Sequence, residues 1–301
     1  MAMGPIIGTR QAVKEALRTK SGLVGTTLLL LLIVVVVAVP IIAPYDVVRA
    51  WGNVAAWTDN PRNAAPEWVD MFTDQKLARN IIINQGDFAF GQSNTSTALT
   101  TIFLRARWQF DFDQFPQDIV MQLETNWSGK PPIVEAIWRR PDGQTLTVYS
   151  SSPRKGTETI QFSASGDVQS RVNTWALGLG AEPVEIVRPH VALYAEQASG
   201  MMDPATAKTL KGRYSLEITA FAFNSTDTVA ARLLNYGRVY GFAGTDSLRR
   251  DLLIGLLWGA PVALAFGAAA ALLTVISQVI LGALGAYYGG RFDELVQRSA
   301  D

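Results

Sequence analysis

Two stretches of this chain run without a single charged side chain for longer than a buried strand or core helix requires. The first, "SGLVGTTLLLLLIVVVVAVPIIAPY", covers Ser21 to Tyr45. A helix rises 1.5 Å per residue, so about 20 residues cross a hydrocarbon layer of ~30 Å. An ionised group at mid-span would cost roughly 3 kcal/mol, which makes the absence of charge informative. The run exceeds the 7–15 apolar residues, roughly, of a secretory signal, and no small-x-small cleavage site follows it. Arg10, Lys14, Arg18 and Lys20 precede it against one acid, Glu15. That basic excess predicts a cytoplasmic N-terminal segment over residues 1–20 and a transmembrane helix over 21–45, with the chain continuing outside.

The second run, Leu252 to Gly290, holds 39 residues without charge. As one helix it would measure roughly 58 Å, too long for one perpendicular span, and two full spans leave no residues for a turn. Gly259 and Pro261 suggest a break, because proline lacks an amide donor and disfavours helix at the preceding residue. The expectation is an interfacial helix within 241–260, starting near Thr245, then a second transmembrane helix over 261–288 and a cytoplasmic tail over 289–301. Trp258 and Tyr287–Tyr288 then fall at opposite interfaces. On this reading Thr245 is an N-cap, Asp246 sits at the positive helix end, and Asp246–Arg250 form an i,i+4 pair. Leu248, Leu252 and Leu256 would rest on the membrane. The second run is also rich in small residues. Gly255/Gly259 and Gly285/Gly289 are spaced as GxxxG, and Gly255, Gly259, Gly282 and Gly285 are candidate helix-packing positions for partner helices in lipid.

Between the runs, residues 46–240 have the composition of a soluble domain. "IWRRPDGQTLTVYSS" reads as a hairpin around Pro141-Asp142-Gly143. "RYSLEITAFAF" alternates at Tyr214, Leu216, Ile218 and Ala220, and "DIVMQLETNW" and "ETIQFSAS" are further strands. "DPATAKTLKG" has the ends of a short capped helix. The fold class expected is a membrane protein with an all-α transmembrane part of two spans, plus a mainly β extracytoplasmic domain. That domain is read as an antiparallel β-sandwich with helical insertions.

Chemistry is sparse. The chain has 26 basic and 26 acidic residues, no cysteine and one histidine, His190. Balanced charge gives no basic footprint for nucleic acid. Without cysteine there is no thiolate metal site or disulfide, and one histidine cannot build a histidine cluster. No G-x-S-x-G elbow or phosphate-cradling P-loop occurs, so no catalytic, cofactor or metal residue is assigned. Asp111 and Asp113 have a spacing found in calcium loops, but lack further oxygen ligands at set intervals. Trp108, Phe110, Phe112 and Phe115 read as core rather than a stacking platform. Asn94, Asn126 and Asn224 begin N-x-[ST] triplets, consistent with an external location.

"GTDSLRRDLLIGLLWGAPVALAFG", followed by "LGALGAYYGGRFDELVQR", resembles the C-type permease subunit of the dipeptide/oligopeptide/nickel ABC transporter family. That family carries G-T-D-x-x-G-R-D and, further on, G-Y-Y-G-G. Gly244, Thr245, Asp246, Arg250 and Asp251 match the first block, and Tyr287, Tyr288, Gly289 and Gly290 match the second, with Ala286 in place of its first glycine. Arg249 stands where the motif has glycine. The resemblance covers roughly residues 1–48 and 237–301, and the β-rich domain reads as an insertion. It implies the N-terminal portion of an importer permease subunit for peptides or related solutes, resident in the plasma membrane as a multi-pass protein and not transport-competent alone. Its implied partners are a second permease subunit, two cytoplasmic ATPase subunits that would supply ATP hydrolysis, and an extracytoplasmic solute-binding protein. The alternative from a different class is a two-span membrane-anchored extracytoplasmic binding or receptor domain.

Overall fold

The computed structural model describes Lys14, residues 17–96 and residues 99–290. Most of the expected segment 1–20 and residues 291–301 of the expected tail lie outside the described residues. The chain divides into two compact units. One is helical, described up to Gly52 and again from Leu253; the other is Asn53–Leu252.

In the helical unit, α1 spans Lys20–Ile42. The Thr19 side chain accepts from the Gly22 amide at 3.1 Å and so caps its start. A short α2, Tyr45–Arg49, follows. The last helix of the chain, Leu252–Tyr288, is one continuous element of 37 residues that runs through Pro261. The expected interfacial helix and the break at Gly259–Pro261 are therefore corrected: no helix covers Thr245–Asp251, and the one that begins at Leu252 continues past Pro261. The proline forfeits one backbone hydrogen bond, whereas stopping and restarting would require a second helix nucleus, which is the costlier step. The glycine pair after Tyr288 has left-handed φ values of 60° and 59°, which L side chains rarely adopt, and stops the helix. Both long helices are long and apolar enough to cross a membrane. Apart from the buried Val39 of the first, their apolar side chains point largely outward: Val34 and Val37 of the first are 66% and 67% exposed, Phe266 and Leu273 of the second 74% and 65%.

The second unit consists of two antiparallel sheets around one core. Its strands are β1 Ile81–Ile83, β2 Ala89–Ser96, β3 Leu99–Phe110, β4 Asp118–Asn126, β5 Ile133–Arg139, β6 Thr145–Ser151, β7 Gly156–Gln161, β8 Gly212–Ala222 and β9 Thr228–Tyr236. One sheet has the order β1-β9-β4-β7, the other β2-β3-β8-β5-β6. Period-two alternation decides which side chains enter the core. Leu104, Ala106, Trp108 and Phe110 of β3 are buried, while Phe103, Arg105, Arg107 and Gln109 face out. Tyr214, Leu216, Ile218 and Ala220 of β8 meet Ile119, Met121 and Leu123 of β4 and Leu233 of β9 in the same core. Trp108, Phe110, Phe112 and Phe115 belong to that core, as read from sequence.

The β5–β6 hairpin closes with a three-residue loop. The Arg140 amide bonds to the Gln144 carbonyl at 3.0 Å, and Gly143 takes φ 86°, the arrangement of a type I turn followed by a left-handed glycine. Arg140 itself is buried. Its guanidinium donates to the carbonyls of Ala192 (2.9 Å) and Ala195 (2.6 Å), pairs with Asp142 at 2.7 Å, and lies over the Trp175 ring. Two helices join this unit: α3, Gly166–Gly178, and α4, Pro189–Ala192. In α3, Val168, Val172 and Ala176 recur every four residues and turn inward. The helix of the second run is numbered α5. The expected helix in "DPATAKTLKG" is corrected to a single turn. Asp203 does cap, accepting from the Ala205 amide at 2.9 Å. The chain then extends, because Lys208 O and Leu210 N bond to Glu196 and Tyr194 at 2.7 Å each. One turn without propagation leaves nothing to offset nucleation.

Candidate functional site

The first block of the family resemblance folds into a closed loop over 244–251, within the β-domain unit. Gly244 has φ 76°, and a Cβ there would lie 2.3 Å from the carbonyl oxygen of Ala64. Only glycine satisfies both the conformation and the approach. Thr245 is 4% exposed. Its hydroxyl donates to Pro61 O at 2.7 Å and accepts from the Ala64 amide at 3.0 Å, while its own amide donates to Ala64 O at 3.0 Å. The threonine thus fastens this loop to a segment 180 residues earlier, roughly, rather than starting a helix.

Asp246 organises the rest. Its Oδ1 accepts from the amides of Leu248 and Arg250, each at 2.9 Å. Its Oδ2 accepts from Arg250 Nε at 2.7 Å and pairs with the second guanidinium nitrogen at 2.6 Å. The expected i,i+4 pair exists, but on a turn of the Asx type, not on a helix. Burial raises the Asp246 pKa; the Arg250 side chain and the two amides outweigh it, so the carboxyl is held below its ordinary value. Thr245 and Asp251 form an antiparallel bridge, and the Leu252 amide bonds to Gly244 O at 3.1 Å, which closes the loop where α5 begins.

Arg249 occupies the position of the motif glycine, at φ 67°. Left-handed backbone costs a residue with a Cβ roughly 1–2 kcal/mol, which is the physical reason for glycine at such a position. Here the arginine is held by its surroundings. Its guanidinium donates to Asn60 O at 2.5 Å and lies 4.0 Å from the Tyr236 ring centre. The Asn60 amide returns a bond to Arg249 O at 3.0 Å.

The second block lies in the helical unit. Tyr287 and Tyr288 are exposed, with rings edge to face at 5.2 Å. Gly289 N bonds to Gly285 O at 2.9 Å, and Gly285 is the buried residue of α5 among those described. Of the other packing candidates, Gly255 has a partner within this chain: a Cβ there would lie 2.7 Å from the Trp51 ring. Nothing lies within 4 Å of where a Cβ would be at Gly259 or Gly282. Trp258 donates to Ala43 O at 3.0 Å and packs on Tyr45.

The remaining sequence candidates fall elsewhere. Asp113 pairs with Lys211 and accepts from the Lys76 amide at 2.7 Å, and Asp111 accepts from Gln109. Among the described residues no group of acidic or histidine side chains could hold a metal ion. His190 lies in α4, largely covered. Burial, foremost, lowers its pKa to about 4, with Arg238 and Arg188 acting in the same direction and Asp118 against. Asn126 is exposed. Asn224 donates to the Ser128 carbonyl. The side chains of Asn94–Ser96 lie outside the described residues.

Sequence reasoning missed the partner half of the loop. Asn60, Pro61 and Ala64 carry no local signature, because their role is to meet Thr245 and Arg249 across the fold.

No family model matches the chain. It is 35% identical over 89 residues to the oligopeptide transport system permease protein OppC of Bacillus subtilis (strain 168), a match covering 29% of this chain and 29% of that protein. The matched region is thus under a third of the length of this curated relative. Among solved structures, a protein of the infectious bursal disease virus Gx strain is 14% identical and covers 52% of this chain and 31% of its own, at a TM-score of 0.26. A carbohydrate-binding module of the β-sandwich superfamily is 10% identical and covers 59% of this chain and 62% of its own, at a TM-score of 0.22. Likenesses this slight carry no argument about what the domain does.

Proposed function

We propose that this chain is a permease component of an ABC importer for peptides or related solutes, anchored by α1 and α5 with the β domain outside the cytoplasm. The carrying observation is the 35% match to OppC, which agrees with the motif loop at the start of α5. Trp258 and Tyr287 are 29 positions apart on one helix. At 1.5 Å per residue that is about 44 Å, the thickness of a bilayer including both interfaces, where tryptophan and tyrosine are favoured. The basic residues before α1 support a cytoplasmic N-terminus.

In this reading the chain forms part of the membrane pathway and works with a second permease subunit, two cytoplasmic ATPases and an external solute-binding protein. Hydrolysis of ATP belongs to those ATPases. Two spans do not enclose a pathway, so α5, with its small-residue positions Gly259 and Gly282 open, packs against helices of the assembly.

The test is affinity purification of the tagged chain from its own cells, with peptide uptake measured in a deletion strain. Co-purification of permease and ATPase subunits and loss of uptake are expected. Extraction of the chain from membranes by alkaline carbonate would defeat the anchoring. Unchanged uptake with no ATPase recovered would favour the anchored receptor domain instead.

A further inference from the structure

A cavity of about 310 Å³ lies within the β-domain unit, beside the motif loop. Part of its wall is apolar, from Val120 and Tyr236 of the β4–β9 sheet and Leu248 of the loop; Gln122 and Gln161 also line it, the latter with its amide nitrogen bound to Asp118 at 2.7 Å. The charged residues that line this space are both cations, Arg62 and Arg249, with the Asp118 carboxylate behind the lining and acting on Arg249. Among the described residues neither is ion-paired with a carboxylate, in contrast to Arg232, Arg140 and Arg250, each of which has an aspartate.

The backbone here is also unusual. Asn63 and Arg249 are the two non-glycine residues at positive φ among those described, with values of 46° and 67°. One adjoins Arg62 and the other is the second arginine, and the Asn63 amide bonds to Asp246 O at 3.1 Å, which ties the two segments together. Strained backbone persists where the surrounding structure over-determines it, and such positions cluster at ligand clamps. Glycine would relieve Arg249 of strain. The chain instead places a guanidinium there, over an aromatic ring and at the same cavity as a second cation. A guanidinium is a planar fork of donors matched to an oxyanion.

We propose that this cavity binds a small organic monocarboxylate, its carboxylate held by Arg62 and Arg249 and its apolar body on Val120, Tyr236 and Leu248. An inorganic anion would use the arginines and leave the apolar wall wet, so the body of the ligand is part of the assignment. The inference stands on the β-domain unit alone and does not depend on the permease reading.

The experiment is calorimetric titration of the full chain in detergent micelles with N-acetylleucine, and with N-acetylleucinamide as its uncharged counterpart. The acid binds saturably. The amide binds about ten-fold more weakly or worse, as loss of a charged hydrogen-bonding group implies. Arg62→Gln and Arg249→Gly each weaken the acid by a similar factor, and circular dichroism reports that both variants keep the β signature. Equal affinity for acid and amide, affinity unchanged in both folded variants, or no saturable binding of the acid at millimolar concentration would each overturn the assignment.

Discussion

The helical unit and the β domain use the same apolar side chains in opposite ways. In the β domain, Trp138, Tyr194 and Leu216 are wholly buried, and Leu216 lies between the polar Ser215 and Glu217 of its strand. In α1 and α5, valine, leucine and phenylalanine are largely exposed, Val39 excepted. A helix that is apolar all round has no polar side to offer water, so its stabilising surroundings must be lipid or other helices. A domain whose strands alternate carries its own core. The difference predicts that substitutions in the two regions register in different measurements.

Trp138→Ala in the core should have the largest effect, roughly 3–5 kcal/mol of β-domain stability, read by denaturant unfolding of the strand signal. The large cavity opens between Trp108, Phe162 and Tyr194, whose rings meet Trp138 edge to face. Less than 1 kcal/mol would mean that the two sheets do not share one core.

Next is pH. His190 titrates at about 4 when folded, against an ordinary value near 6.5. Between those values the unfolded chain binds the proton and the native chain does not, so stability is complete above pH 6.5 and falls as pH drops towards 4. A shift of that size corresponds to about 3 kcal/mol. His190→Asn should remove the slope between pH 4 and 6.5. A slope retained in that variant would place the titration elsewhere.

Gly244→Ala tests the loop. The new methyl meets the Ala64 carbonyl in a left-handed backbone, so about 2 kcal/mol is expected, read as raised hydrogen exchange at Ala64 and Thr245. Asp246→Asn should cost less, about 1 kcal/mol, because the asparagine oxygen can still accept the two amides while the ion pair is lost. The native loop should itself loosen as pH falls below the carboxylate range, since a depressed pKa means stability lost on protonation. At the bottom of the scale, Leu272→Ala in α5, where the side chain is 62% exposed, should leave β-domain unfolding unchanged. A measurable shift there would break the separation between the regions.

Much of this was legible in the chain because the signals are local. The hairpin at Pro141-Asp142-Gly143 needs three residues and a glycine to be read, β8 announces itself by alternation, and β4 and β7 fall in the stretches read as further strands. The helix α3 was missed although Val168, Val172 and Ala176 keep a four-residue spacing, because polar and glycine residues dilute the pattern. At the candidate site, the acid–base pair of Asp246 and Arg250 was visible four positions apart, yet that spacing suits a helix and an Asx turn alike. The buried arginine, Arg140, was not visible as a hub, since the carbonyls it satisfies belong to residues 52 and 55 positions away.

The sequence by itself determined the two long apolar helices, the alternating strands, and the chemical identity of the loop from Gly244 to Asp251. Those follow from composition and period, which act over a few residues. Only the tertiary structure decided that Thr245 closes a loop instead of capping a helix, and that α5 runs unbroken through Pro261. It also decided that Arg249 can hold a left-handed backbone because Asn60 and Tyr236 receive it. Each choice turned on partners far along the chain or on the relative cost of one lost hydrogen bond against a new helix nucleus. Neither is written in the local pattern.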